Sequence, residues 1–177
     1  MLKTLFAIDD EIVPLASAAP RLSNAEAGAE WAARASMYRL LSGVFVEEPG
    51  QAFVQAIRRP DVLESLAGLG LHFDADFTAP DDDVLLDQLA CEYTTLFVAS
   101  GGFPPVESVR LTGRYKQEPH FKVEQAYAKW GLALQKGRFE VFPDQLGVEL
   151  MFLAELLERC SVALERNDEA TFRRIER

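Results

Sequence analysis

The residues able to do chemistry in this 177-residue chain are few and scattered. The two histidines, His72 and His120, lie far apart, and the two cysteines, Cys91 and Cys160, form no Cys-x-x-Cys pair and neighbour no histidine. No pair has the spacing of metal ligands and no His-Glu-x-x-His occurs, so no metal is expected. Each cysteine reads as a small core residue. No Gly-x-Ser-x-Gly elbow or Cys/His pair offers an activated nucleophile. Gly101-Gly102 runs into Phe103, Pro104 and Pro105 rather than into a Lys-Ser/Thr step, so a phosphate cradle has no basis. The triplet Asp81-Asp82-Asp83 reads as a solvated helix start, since carboxylates favour the N-terminal end of the helix dipole. An enzyme is therefore not expected, and no cofactor is assigned.

Two stretches concentrate the remaining polar residues in unusual company. One runs from Glu92-Tyr93-Thr94-Thr95-Leu96-Phe97 into Gly101-Gly102-Phe103-Pro104-Pro105-Val106-Glu107-Ser108. The other is Phe142-Pro143-Asp144-Gln145-Leu146-Gly147-Val148-Glu149, at the start of a strongly apolar segment. In the second, Pro143 suits the approach to a helix and Asp144 suits its N-cap. Leu146, Leu150, Leu153, Leu157, Cys160 and Leu164 then recur at spacings of three and four, which places them on one helical face. Val148, Met151 and Phe152 make the other faces apolar as well, so this is expected to be the central helix of a bundle.

The elements that must carry these stretches are helical. Ser23 with Glu26 matches a capping box, and a helix over about 25–45 should bury Trp31, Ala35, Tyr38, Leu41 and Phe45. Pro49-Gly50 ends it. Short helices are expected at 51–58 and 61–68, a loop at 71–79, and a helix from Pro80 to about Phe97. A long irregular segment spans 99–119, of the kind that is commonly functional. Helices over about 121–134 and 144–166 follow, with a last one from Asn167-Asp168 onward. Strand signals are nearly absent. The expected fold is all-α, a single globular bundle of roughly six to eight helices over residues 23–177, preceded by a poorly defined arm at 1–22.

Composition limits the partners. Hydrophobic residues make up 49% and charged residues 26% of the chain, which is ordinary globular usage, and the length suits one domain with a real core. The formal net charge of −10 argues against nucleic-acid binding and for cationic partners. No stretch approaches a membrane span, no secretory signal is legible, and the sparse cysteines fit a reducing compartment, so a cytoplasmic location is expected.

Four stretches, in order, resemble the redox enzyme maturation chaperones of the TorD/DmsD/NarJ-like group. Tyr38-Arg39-Leu40-Leu41-Ser42 with Phe45 and Pro49 is similar to that family's first-helix pattern, and Glu92–Phe97 to its Tyr-x-x-Leu-Phe helix end. Pro104–Val109 is similar to its proline-rich loop closing on Ser, and Pro143–Leu150 to its Pro-Asp-His-Leu-Gly signature. Gln145 stands where the family has His, which replaces a titratable ring by an amide. Arg110 stands where an aromatic residue commonly follows the Ser.

The resemblance implies a non-enzymatic chaperone. Its partner would be the apo catalytic subunit of a molybdopterin-dependent oxidoreductase and its twin-arginine signal peptide, held until the cofactor is inserted. Arginines pair best with carboxylates, and an apolar leader segment needs an aromatic and aliphatic groove. Glu140, Asp144 and Glu149 are the expected charged contacts, with Gln145 beside Glu149. Tyr93, Phe97, Phe103, Pro104 and Pro105 are the expected apolar walls, and Glu107 and Ser108 complete the loop motif. Most have a plainer alternative: Asp144 as a helix cap, Tyr93 and Phe97 as core, Pro104-Pro105 as a loop stiffener, Glu149 as a solvent-facing residue, Glu107 and Ser108 as loop caps. Two other readings stay open. One is a nucleotide-binding protein. The other is a dimeric helical adaptor, a homodimer that exchanges helices through the 134–144 segment.

Overall fold

The computed structural model describes residues 23–99, 101–135 and 141–176. Among these, nine α-helices form and no strand does: α1 (Asn24–Val46), α2 (Gln51–Ile57), α3 (Pro60–Gly68), α4 (Ala75–Thr78), α5 (Asp82–Tyr93), α6 (Glu107–Thr112), α7 (Glu118–Lys129), α8 (Leu146–Glu165) and α9 (Glu169–Glu176). The expected all-α class holds. The proposed arm at 1–22 lies outside the described residues, as do residues 136–140, which include Glu140 and the middle of the 134–144 hinge.

Local chemistry explains the boundaries. Ser23 and Glu26 form the expected capping box at the start of α1. The acidic triplet is absorbed by the helix it begins. Asp82 accepts from the Gln55 amide at 3.0 Å and from the Arg58 guanidinium at 2.7 Å, and these hold its carboxyl below the usual range, the Gln55 bond foremost. Arg58 also donates to the carbonyls of Phe77 and Pro80, tying α2 to the turn before α5. That turn contains the short helix α4, where the sequence suggested only a loop. After Tyr93 the chain does not continue as an α-helix to Phe97 but widens into a π-helical turn, Thr94–Val98. Gly102 closes this turn. A Cβ there would lie 2.8 Å from the Leu96 carbonyl and 2.9 Å from that of Thr95, so no larger residue fits.

The bundle is built on the antiparallel pair α1 and α8, and the contact is made by small residues. Gly28, Ala35 and Ser42 are buried on α1 at intervals of seven, and Gly147, Ala154 and Ser161 are buried on α8 at the same interval. Two contacts fix the register. The Ser161 hydroxyl donates to the Gly28 carbonyl at 2.8 Å, and at the other end Gly147 lies against Ser42 and Val46. This register places Ala35 opposite Ala154, which are 3% and 0% exposed. A seven-residue interval keeps one seam facing the partner helix, and small side chains let the backbones approach closely.

This corrects the expected core face. The leucine stripe of α8 flanks the seam rather than forming it: Leu146 and Leu153 remain 38% and 41% exposed, while Cys160 is buried as expected and Cys91, also expected in the core, is exposed. On α1, Ala35 is buried as expected, but Leu41 is exposed and Trp31, Tyr38 and Phe45 are only partly covered. Trp31 instead packs edge-on against Phe172 of α9, with ring centres 5.7 Å apart.

Candidate functional site

The two polar stretches singled out in the sequence meet in space. Val106 and Gln145 form an isolated antiparallel bridge. The Leu146 N–H donates to the Pro105 carbonyl at 2.7 Å, and the Glu107 N–H donates to the Asp144 carbonyl at 2.8 Å. The proline-rich loop and the approach to α8 are therefore zipped backbone to backbone. Pro105 has no N–H to offer, and its carbonyl is the group used. The segment expected to be irregular contains α6, whose left-handed Gly113 ends the helix at φ 73°.

Asp144 is fully buried, and its carboxylate does not cap α8 as expected. Gln145 is the N-cap residue of α8, without a side-chain cap bond. Asp144 reaches across to α6, where Oδ2 accepts the Ser108 N–H at 2.9 Å. The N-cap residue of α6 is Val106, which has no side-chain oxygen, so Asp144 supplies the cap from 36 residues away. Its other oxygen, Oδ1, lies 3.3 Å from Nδ1 of the buried His120 on α7. Ser108, His120 and Asp144 thus converge, but not as a nucleophile relay. Ser108 is 0% exposed, meets Asp144 through its backbone, and its Oγ accepts the Gln117 N–H at 3.3 Å.

Gln145 turns the other way, toward α1. Its amide Nε2 donates to the Phe45 carbonyl at 2.5 Å, a carbonyl that also accepts the Tyr93 hydroxyl at 3.1 Å. Tyr93 and Phe97 pack edge to face, with ring centres 5.0 Å apart, and Phe97 rests on Phe45. The Tyr93 phenol is pushed up by burial and then by Glu47 and Glu48. Gln145 and Tyr93 therefore latch the C-terminal end of α1 to the start of α8 and to the end of α5.

Glu149 has a different environment. It is partly buried one turn into α8, and its carboxyl is pushed up to about 6 by burial first, then by the negative charges of Glu107 and Asp144. Among the described residues no cation pairs with it. Beside it, Tyr127 donates its hydroxyl to the Pro143 carbonyl at 2.8 Å and packs at a tilt against Phe152, with ring centres 4.6 Å apart. Burial, then Glu149 and Asp144, raise this phenol strongly, which keeps it neutral. Tyr127 and Phe152 form one wall of an apolar groove of about 200 Å³, completed by Leu132, Leu134, Val148 and Met151, with Glu155 at the rim.

The sequence-expected residues thus separate into groups. Asp144, Ser108, Gln145, Pro104 and Pro105 gather at the zipped loop, and Glu107 and Glu149 add charge at its edge. Tyr93 and Phe97 belong to the α1–α5 packing. Phe103 is 61% exposed under the Arg110 guanidinium, which lies 5.1 Å from its ring centre. His120, Tyr127, Met151 and Phe152 were not among the expected site residues. Tyr127 and Phe152 show in the sequence only as apolar periodicity, and His120 shows only as one of two histidines.

Residues 75–176 match the family model described as nitrate reductase delta subunit, a span of more than half the chain that includes every element of this site except the end of α1. A solved structure described as a redox enzyme maturation protein from Archaeoglobus fulgidus superposes with a TM-score of 0.50 at 22% sequence identity, over 81% of this chain and 94% of that one. At that identity the likeness bears on the fold. No curated protein matches the chain.

Proposed function

We propose that this chain, which belongs to the nitrate reductase delta subunit family of redox enzyme maturation chaperones, binds the apo catalytic subunit of a molybdopterin-dependent oxidoreductase and, where the client carries one, its twin-arginine leader. The client is held until its cofactor is inserted. The observation that carries this reading is Glu149: a partly buried carboxylate, crowded by Glu107 and Asp144, with no cationic partner among the described residues. A client guanidinium supplies the missing charge through paired N–H donors, and it offsets the repulsion that now raises the Glu149 carboxyl.

The apolar run that follows the arginines in a leader fits the groove between Tyr127, Phe152, Met151 and Leu134. Such grooves take apolar side chains from an amphipathic or extended segment. The chaperone does no covalent chemistry in this scheme. Its own residues bind, orient and shield the client.

Calorimetric titration with a leader peptide tests the reading. Glu149→Gln should weaken binding about tenfold, the scale of one hydrogen bond to a charged group, whereas Glu158→Ala, on the Arg39 side of the molecule, should leave it unchanged. Binding that is indifferent to Glu149, or absent for every candidate leader and apo-subunit, contradicts it.

A further inference from the structure

We propose that His120 is the positioning residue of this site: its imidazole holds the Asp144 carboxylate as the cap of α6 and so fixes Glu107 and the Pro104-Pro105 loop beside Glu149. The proposal rests on the binding reading above for its consequence, but the positioning can be measured without any ligand.

The geometry behind it is a single buried carboxylate shared by three elements. Asp144 sits before α8, accepts the Ser108 N–H of α6 through one oxygen, and faces His120 of α7 through the other. Both side chains are shut from solvent, at 9% and 0% exposure. A carboxylate in that state is costly unless its lone pairs are used, and with one N–H bond from α6 on Oδ2, His120 is the partner of Oδ1 among the described residues. A carboxylate oxygen accepts, so in this pairing Nδ1 is the donor. The ring is held for that task by Phe121, edge-on at 5.1 Å, and by Phe142 at 6.3 Å.

Without the His120 donor, Asp144 has reason to turn toward water, and α6 loses the only side-chain cap it has among the described residues. Glu107 is the first residue of α6 and Pro105 precedes it by two, so the loop and the Glu107 charge that acts on Glu149 move with it. The family signature places a histidine directly after this aspartate, and here that position is Gln145, committed to the Phe45 carbonyl. The imidazole that meets Asp144 comes from a different helix.

Three variants test this. His120→Phe keeps a ring but no donor, His120→Asn keeps a donor near the Nδ1 position, and Asp144→Asn removes the acceptor charge. Amide hydrogen exchange on the free protein should show Glu107 and Ser108 losing protection at least tenfold in His120→Phe and largely recovering it in His120→Asn. Titration of a twin-arginine peptide should follow the same order, with affinity about tenfold weaker in His120→Phe. In an Asp144→Asn background the His120→Phe change should add little, since the two act as one unit. Unchanged exchange at Ser108 in His120→Phe, or equal loss in the Phe and Asn variants, overturns the positioning role. If the wild-type chain binds no peptide while exchange behaves as expected, the binding reading fails and the positioning stands.

Discussion

At the residue scale, two carboxylates a few positions apart do opposite things. Asp144 is buried with its hydrogen bonds made, and it contributes to stability. Replacing it by Ala leaves the Ser108 N–H and His120 without their acceptor, at a cost of about 2–3 kcal/mol, read as a lower denaturant midpoint. Glu149 is partly buried with its charge opposed, and it is expected to cost stability at neutral pH. Its carboxyl titrates near 6 in the folded chain against an ordinary 4.5. The native state therefore holds this proton more tightly than the unfolded one. The stability from that proton is fully present below about 4.5 and is lost as pH rises through 6. Glu149→Gln should remove this dependence and melt at or above the wild-type temperature at pH 7, while binding the leader more weakly. A melting temperature that falls in the variant contradicts the crowding argument. A leader guanidinium needs the ionised carboxylate, so wild-type affinity should decline as pH drops below 6, and binding near pH 6 should release a proton, measurable as a buffer-dependent heat.

At the scale of elements, the α1–α8 seam makes a sharp contrast between two glycines. A Cβ on Gly147 would lie 2.5 Å from Val46 Cγ2, 2.8 Å from the Val46 nitrogen and 2.9 Å from the Ser42 carbonyl, whereas on Gly28 its nearest neighbour is at 3.5 Å. Gly147→Ala should cost about 2–3 kcal/mol through overpacking against backbone. Gly28→Ala should be near neutral, helped by up to about 1 kcal/mol of helix propensity. Equal melting temperatures for the two variants would contradict the seam.

The helices themselves were legible from local signals: the Ser23–Glu26 box, Pro80 with its acidic followers, and the apolar run after Asp144. The buried face of α8 was not. Leu146, Leu150, Leu153 and Leu157 dominate a hydrophobic periodicity, while Gly147, Ala154 and Ser161 gain meaning only once their partners Gly28, Ala35 and Ser42 on α1 are known. The same limit hid the role of Asp144. A capping aspartate before an apolar run reads as the cap of its own helix, and nothing local shows that α6 begins at a valine cap and needs an oxygen from elsewhere. His120 was invisible as a site residue for that reason too.

At the scale of the whole molecule, the formal charge of −10 and the partly buried acid at Glu149 favour the same kind of partner. On the proposed reading, the negative field would steer a cationic leader toward the site, and the apolar groove lined by Tyr127, Val148 and Phe152 would retain it. No described helix is long and apolar enough to cross a membrane. The most direct measurement is calorimetric titration of the wild-type chain with a twin-arginine leader peptide and with the same peptide carrying two alanines in place of the arginines. Saturable 1:1 binding that weakens at least tenfold on losing the arginines, and by a similar factor in Glu149→Gln, is the expected result. Equal affinity for the two peptides would contradict a carboxylate site for the arginine pair.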